Sequence, residues 1–239
     1  MIRKSLLLLI LCLIQTISFS QTNDQKIFDI LREKKGLSQG SVNCICQDSS
    51  GYIWFGTNDG LNRYDGYNIK IYRHDPDDST SISCNKIKSI IVCSHDVLWI
   101  GTSGGGLNRY NSISDDFTRF HFNDSAGNYF GQIIREIKYD NNGFLWIGTR
   151  NDGLIAFNPR RNVLKRFLHD PSDNTTISDN TVNAILIDSR GALWVGVNDG
   201  EINLFNDENE SFKRISYKTK DSPKEKYLSV FDLIEDKNG

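Results

Sequence analysis

Proline is scarce in this chain, with 4 residues in 239, and methionine occurs once, while glycine occurs 19 times. Turns must therefore be made by glycine and by Asn or Asp, which is the chemistry of tight hairpins rather than of proline-rich linkers. An excess of one charge sign is also missing. The 28 Lys and Arg against 30 Asp and Glu leave a formal net charge of −2, which argues against a nucleic-acid groove or an anionic-membrane surface. The 4 histidines and 5 cysteines have no metal-ligand or small-scaffold spacing, so neither a zinc site nor a disulfide framework is expected, and no cofactor.

What is present is ordinary for a globular chain: 38% hydrophobic, 24% charged and 11% aromatic residues, enough to bury a core. Arg3 and Lys4 precede an apolar run over residues 6–14, and Ser18-Phe19-Ser20 precedes Gln21. That order predicts a signal peptide over residues 1–20, cleaved near Ser20. The apolar run falls well short of the roughly 20 residues of a spanning helix, so no transmembrane helix is expected in the mature chain. Export would place Cys44, Cys46, Cys84 and Cys93 in an oxidising compartment. Cys44 and Cys46, two apart in an expected strand, share a face and read as small core residues; disulfides remain open.

Tryptophans stand at positions 54, 99, 146 and 194, so spacings of 45, 47 and 48 residues organise everything else. Each sits in the same phrase: Gly51-Tyr-Ile-Trp54-Phe-Gly56-Thr57, Val97-Leu-Trp99-Ile-Gly101-Thr102, Gly143-Phe-Leu-Trp146-Ile-Gly148-Thr149 and Gly191-Ala-Leu-Trp194-Val-Gly196-Val197. An alternating segment ending in Asp-x-x-Gly precedes three of them, at Asp48, Asp140 and Asp188, while the second copy reads Cys93-Ser-His-Asp96. A second and a third short apolar run follow each tryptophan. Four short strands per unit joined by tight turns describe an all-β chain of β-propeller blades. Complete blades are expected at 41–73, 86–122, 133–169 and 181–217, within a propeller region spanning 37–239. Residues 227–234 would open a fifth blade, with its tryptophan due at about position 242. Within residues 21–36, Ile27 to Leu31 resembles a ring-closing outer strand. The expectation is an open arc of four blades plus a stray strand, the front part of a longer protein.

The tryptophans are read as wedges between sheets rather than as sugar-stacking platforms. Gly101-Thr-Ser-Gly-Gly-Gly106 lacks a following Lys-Ser/Thr and a helix, so it is a hairpin turn and not a phosphate loop. His74-Asp-Pro-Asp-Asp78 and His169-Asp-Pro-Ser-Asp173 are rigid turns at equivalent junctions, without the spacing of a calcium loop. A glycosidase is the main enzymatic alternative. The sialidase-type Asp box, however, places Asp two residues before Gly, where this chain has Ser49, Asn141 and Ser189. No catalytic residue is assigned.

The repeated phrase Gly-x-x-Trp-x-Gly-Thr-x-x-Gly-Leu-x-x-Tyr, with Ile177-Ser-Asp-Asn-Thr-Val182 before its fourth copy, resembles the two-component regulator propeller repeat. The first copy, followed by Asp65-Gly66 and the His74-Asp-Pro junction, resembles the opening blade of Bacteroidetes hybrid two-component sensors. The resemblance covers about residues 27–239 and implies a periplasmic sensor region whose kinase, receiver and DNA-binding domains lie elsewhere. It implies a seven-bladed propeller, recognition of an oligosaccharide or other small periplasmic ligand, and control of polysaccharide-utilisation genes by phosphorelay; the expected partners are the remaining sensor domains and, in the full-length protein, a second copy in a homodimer. Val197, Glu201 and the Cys93-Ser-His-Asp96 turn depart from the pattern. A structural or protein-interaction propeller is the alternative from another class.

In a four-stranded meander, the turns between second and third strands share one face with the junctions between blades. That face carries Asn58, Asp59, Ser103, Arg150, Asn151, Asp152, Asn198 and Asp199, the candidate ligand-binding residues. Their amides and carboxylates can hydrogen-bond sugar hydroxyls, and Arg150 can pair a sulfate or uronate carboxylate bidentately. Asn58-Asp59-Gly60 equally suits a plain hairpin turn.

Overall fold

The alternating apolar segments fold into antiparallel meanders. The computed structural model describes residues 36–93, 96–215 and 229–237; the expected signal peptide over 1–20 and the ring-closing strand over 27–31 lie outside the described residues. The first sheet contains β1 (Val42–Gln47), β2 (Ile53–Thr57), β3 (Gly60–Tyr64) and β4 (Ile69–Tyr72). The second contains β5 (Ile87–Cys93), β6 (Val97–Thr102), β7 (Leu107–Asn111) and β8 (Asp116–Phe120). A two-stranded hairpin, β9 (Phe122–Asn123) and β10 (Tyr129–Phe130), precedes the third sheet of β11 (Ile134–Tyr139), β12 (Leu145–Thr149), β13 (Leu154–Asn158) and β14 (Val163–Phe167). The fourth contains β15 (Val182–Ile187), β16 (Leu193–Val197), β17 (Ile202–Asn206) and β18 (Ser211–Ile215). Each sheet is ordered as its sequence runs, within a residue or two of the expected boundaries, and no described strand pairs the first sheet with the last.

The sheets pack in sequence, inner strand against inner strand, β1 on β5, β5 on β11 and β11 on β15. The glycine of each Trp-x-Gly phrase marks the approach. A Cβ on Gly56 would lie 2.7 Å from Ile87, on Gly101 2.5 Å from Ile134, and on Gly148 2.7 Å from Val182. Only hydrogen fits there. Two residues earlier on the same strand face, the tryptophan fills the wider gap: Trp54 meets Tyr110 edge-on at 4.9 Å and Trp146 meets Phe205 at 5.1 Å, both across the sheet boundary. Ile90, Ile137 and Ile185 are 6%, 1% and 1% exposed beneath a preceding sheet, whereas their counterpart Ile45 on β1 is 61% exposed. At the other end, Trp194 is only half-buried.

The aspartate before each tryptophan does more than make a turn. Asp48 Oδ1 accepts the Tyr52 amide while Oδ2 accepts Trp54 Nε1–H at 2.7 Å. Asp140 and Asp188 repeat both bonds, taking the indoles of Trp146 at 2.8 Å and Trp194 at 3.0 Å. Buried indole donors need an acceptor. In the second copy the aligned residue is Cys93, whose side chain takes the Trp99 indole, and Asp96 stands at the glycine position with φ 61°.

Buried asparagines form a second repeated device. Asn62, Asn108 and Asn203 each accept, on the side-chain oxygen, the amide of Ser38, Ser83 or Ser178 in the segment entering a sheet. Each also donates Nδ2–H to that serine's hydroxyl, at 2.9, 2.7 and 3.0 Å. In the third sheet both partners change together. Gly131 replaces the serine and Ile155 the asparagine, so an apolar contact stands where the other sheets have a polar clamp.

Residues 229–237 are not a strand, contrary to the expected fifth-blade opening over 227–234. A strand needs a ladder partner, and none stands beside this segment among the described residues. It still takes the inner-strand position, since the Val230 amide donates to Val197 O at 3.1 Å and a Cβ on Gly196 would meet Val230 at 2.5 Å.

Replacing Asp140 with Ala removes the acceptor of a buried indole and the cap of its turn, and should destabilise the chain by about 1–3 kcal/mol. Asp188→Ala should cost less, because water reaches Trp194. Urea denaturation of both variants checks the order.

Candidate functional site

The face formed by the β2–β3 type turns and the junctions is built from local hydrogen bonds. Thr57, Thr102 and Thr149 are buried, donate to the carbonyls of Gly60, Gly106 and Gly153, and accept the amides of Asp59, Gly105 and Asp152. Gly104 and Gly106, at φ 131° and 72°, make the Gly-rich stretch the hairpin expected of it. At the junctions, the His74 and His169 ring nitrogens pair with the Ile82 and Ile177 carbonyls. Asp75, Asp78, Asp170 and Asp173 accept amides or hydroxyls within their own turns.

Six of the eight candidate ligand-binding residues are tied into this framework. Asp59 is gripped by Arg73 through its carbonyl and carboxylate, and Asp152 by Arg166 in the same two-point manner, the latter also accepting the Gly131 amide. Asn58 Oδ1 takes Asn43 and Lys88, Asn151 Oδ1 takes the Thr181 hydroxyl, and Asn198 Oδ1 takes the Ser229 hydroxyl. Asp199 Oδ1 accepts the Glu201 amide and the Ser178 hydroxyl. The structure brings together the remaining two. Ser103 and Arg150 line one cavity of about 410 Å³, with Lys88, Ile133, Ile134, Arg135, Asn183 and Phe231.

Sequence reasoning missed Lys88, Arg135 and Asn183. Each inner strand carries a register break after its first residue, between Ile87 and Ser89, Ile134 and Glu136, and Val182 and Ala184. The extra residue of such a bulge is left out of the ladder and its side chain is re-aimed. The signal was present as a polar residue interrupting the apolar alternation in Ile87-Lys-Ser, Ile134-Arg-Glu and Val182-Asn-Ala. Past the bulge, side chains join adjacent inner strands: Ser89 Oγ accepts the Ile137 amide and Glu136 Oε2 the Ile185 amide.

Other titratable groups are structural. Burial, with the neighbouring Cys46 charge, pushes the Cys44 thiol up to about 12, and burial pushes Cys46 up to about 11, so neither is a ready thiolate. Asp115 lies in the β7–β8 turn, on the opposite face from the cavity, with its carboxylate bonded to Lys70, Tyr110 and Tyr72. Partial burial works against ionisation there, but the Lys70 bond, followed by the two tyrosine bonds, outweighs it and holds the carboxyl at about 2.

Four-stranded antiparallel sheets packed in series with tryptophan wedges define a β-propeller array. Residues 36–59, 128–151 and 176–199 match the two component regulator propeller family, and the chain carries two-component regulator propeller repeats. Over 67 residues it is 51% identical to histidine kinase P4 of Formosa agariphila, a stretch covering 28% of this chain and 5% of that protein. The extracellular domain of a putative one component system from B. thetaiotaomicron is 24% identical, with a TM-score of 0.61, over 77% of this chain and 25% of that one. PorZ, a surface component of the type-IX secretion system of Porphyromonas gingivalis, is 16% identical with a TM-score of 0.58, over 83% and 30%. Virginiamycin B lyase from Staphylococcus aureus is 15% identical with a TM-score of 0.58, over 78% and 59%. At such identities the structures establish the propeller fold alone, and the chain spans only a small part of the kinase it matches. Among the described residues no helix is long and apolar enough to cross a membrane.

Asp115 ionises more readily folded than unfolded, so its contribution to stability is complete above its unfolded value of about 3.9 and is lost as pH falls toward about 2. Asp115→Ala should therefore be less stable than the parent at pH 7, and the gap should narrow on acidification to pH 2. Paired urea titrations across that range check it.

Proposed function

We propose that this chain is the ligand-sensing propeller of an exported two-component signalling protein. It recognises an oligosaccharide on the face that carries the β2–β3 type turns, and domains outside this chain carry the phosphorelay. The observation that supports this reading best is the coincidence of regulator-propeller repeats with a cavity of ligand size on that face, lined by Arg150 and Ser103. The fold alone does not decide between sensing and catalysis, since a lyase shares it. Three features favour binding without turnover. Most candidate carboxylates are already committed to arginines or turn amides, no acid lines the cavity among the described residues, and the Trp-Asp pairs are buried structural bonds. A protein-interaction propeller is the second reading, favoured by the hollow of about 530 Å³ at Trp194, Leu233 and Ile234 on the flank of the fourth sheet.

Calorimetry of the intact sensor against a panel of oligosaccharides separates the readings. Sensing predicts saturable binding with the glycan recovered unchanged, a hydrolase predicts cleavage, and an interaction propeller predicts neither. Arg150→Ala should weaken the cognate glycan roughly tenfold or more while leaving thermal stability unchanged, since a charged hydrogen bond is worth about 1.5–3 kcal/mol. Unchanged affinity would remove Arg150 from the site.

A further inference from the structure

The inner-strand bulges place a chemically one-sided set of groups in the cavity. Lys88, Arg135 and Arg150 line it, and no acidic side chain among the described residues does. This contrasts with a chain whose acids outnumber its Lys and Arg. Among the described residues none of the three cations pairs with an acid, and Lys88 donates only to the neutral Asn58 Oδ1 at 3.1 Å. Arg73 and Arg166 hold Asp59 and Asp152, and Arg63 reaches Asp115.

Two of the lining residues, Asn183 and Arg135, also carry buried polar atoms without partners among the described residues. Asn183 is 8% exposed, and neither its Nδ2 nor its Oδ1 meets a hydrogen-bonding partner among the described residues. Arg135 Nε is buried and likewise unpaired. A buried amide or guanidinium N–H left unsatisfied is destabilising, because it has given up its hydrogen bond to water without replacing it. The equivalent bulge residue of the first sheet, Asn43, has no such deficit, donating to Asn58 Oδ1 at 3.0 Å and Ile87 O at 2.8 Å. Among the described residues, the unsatisfied side-chain atoms belong to the bulge residues of the third and fourth sheets, both of which line the cavity. Burial, reinforced by the charge of Arg150, disfavours the charged form of Arg135, and an anion beside the two would offset both effects.

We propose that this cavity is an anion site, in which Lys88, Arg135 and Arg150, with the Asn183 amide, bind a carboxylate or sulfate group of a small ligand. Ser103 supplies a hydroxyl at its wall, and Phe231 an apolar face against which a sugar ring or short chain can lie. The site deepens the sensing reading, on which it rests for the ligand's sugar body, but its charge selection stands on these residues alone. The volume of about 410 Å³ suits one or two sugar rings.

The test is an NMR titration of the full chain at constant ionic strength, following the Arg135 Nε–H and Asn183 side-chain amide resonances. The probes are inorganic sulfate, digalacturonate and neutral maltose. Sulfate and digalacturonate should each produce saturable shifts of those resonances, and maltose none. Lys88→Gln and Arg150→Gln should each weaken the response at least tenfold with unchanged melting temperature; both leave the Asn183 pocket intact if Arg135 variants fail to fold. No saturable response to either anion, or a response unaltered in both variants, overturns the anion site. Maltose binding that ignores both variants overturns it while leaving the sensing reading in place, whereas failure of the anions together with the oligosaccharide panel on the intact sensor overturns both.

Discussion

Everything in this array depends on how closely one inner strand can approach the sheet before it. The approach is set by a glycine that has no room for a methyl group, facing Ile87, Ile134, Val182 or Val230. Beside each contact a tryptophan fills the space left as the sheets diverge, its indole held by Asp48, Asp140 or Asp188, or by Cys93 in the second sheet. Close packing of this kind is intolerant of added volume, and it acts where no ladder crosses from one described sheet to the next. The cost appears at the ends of the series, where Ile45 is exposed and Trp194 half-covered because no described sheet lies against them.

The same closeness accounts for the candidate site. Inner strands that approach side by side have no ladder partner on that side, so their free amides are met by Ser89 and Glu136, and a bulge turns one residue per strand toward the face. Those residues are free to vary because the glycine contact beneath them carries the packing. Asn, Lys, Arg and Asn occupy the four bulge positions 43, 88, 135 and 183, so a repeated scaffold presents a non-repeating surface.

Much of this was legible in the sequence. The Trp-x-Gly phrase and its spacing located all four sheets, and the expected separation of the two loop faces placed Ser103 and Arg150 on the face that holds the cavity. What was hidden has identifiable causes. Nothing in the strand pattern marks Asn62, Asn108 and Asn203 for burial, which rests on their pairing with a serine about 25 positions upstream. The hairpin at Phe122–Asn123 and Tyr129–Phe130 replaces a His-Asp-Pro junction, and its strands are too short for alternation to register. Lys88, Arg135 and Asn183 were passed over because the break each makes in the apolar alternation is only one residue long, and the register is what identifies it as a bulge.

The central claim, that contact at the glycine sets the spacing of the sheets, is tested most directly by a double-mutant cycle on Gly148 and Val182. A Cβ on Gly148 would lie 2.7 Å from Val182 Cγ1 but 3.3 Å from Val182 Cβ, and Gly148 has no positive φ to add backbone strain. Gly148→Ala alone should destabilise the chain by about 1–3 kcal/mol. Combined with Val182→Ala, which removes Cγ1, it should cost clearly less than the sum of the single changes. A neutral Gly148→Ala, or strictly additive losses, would contradict the account.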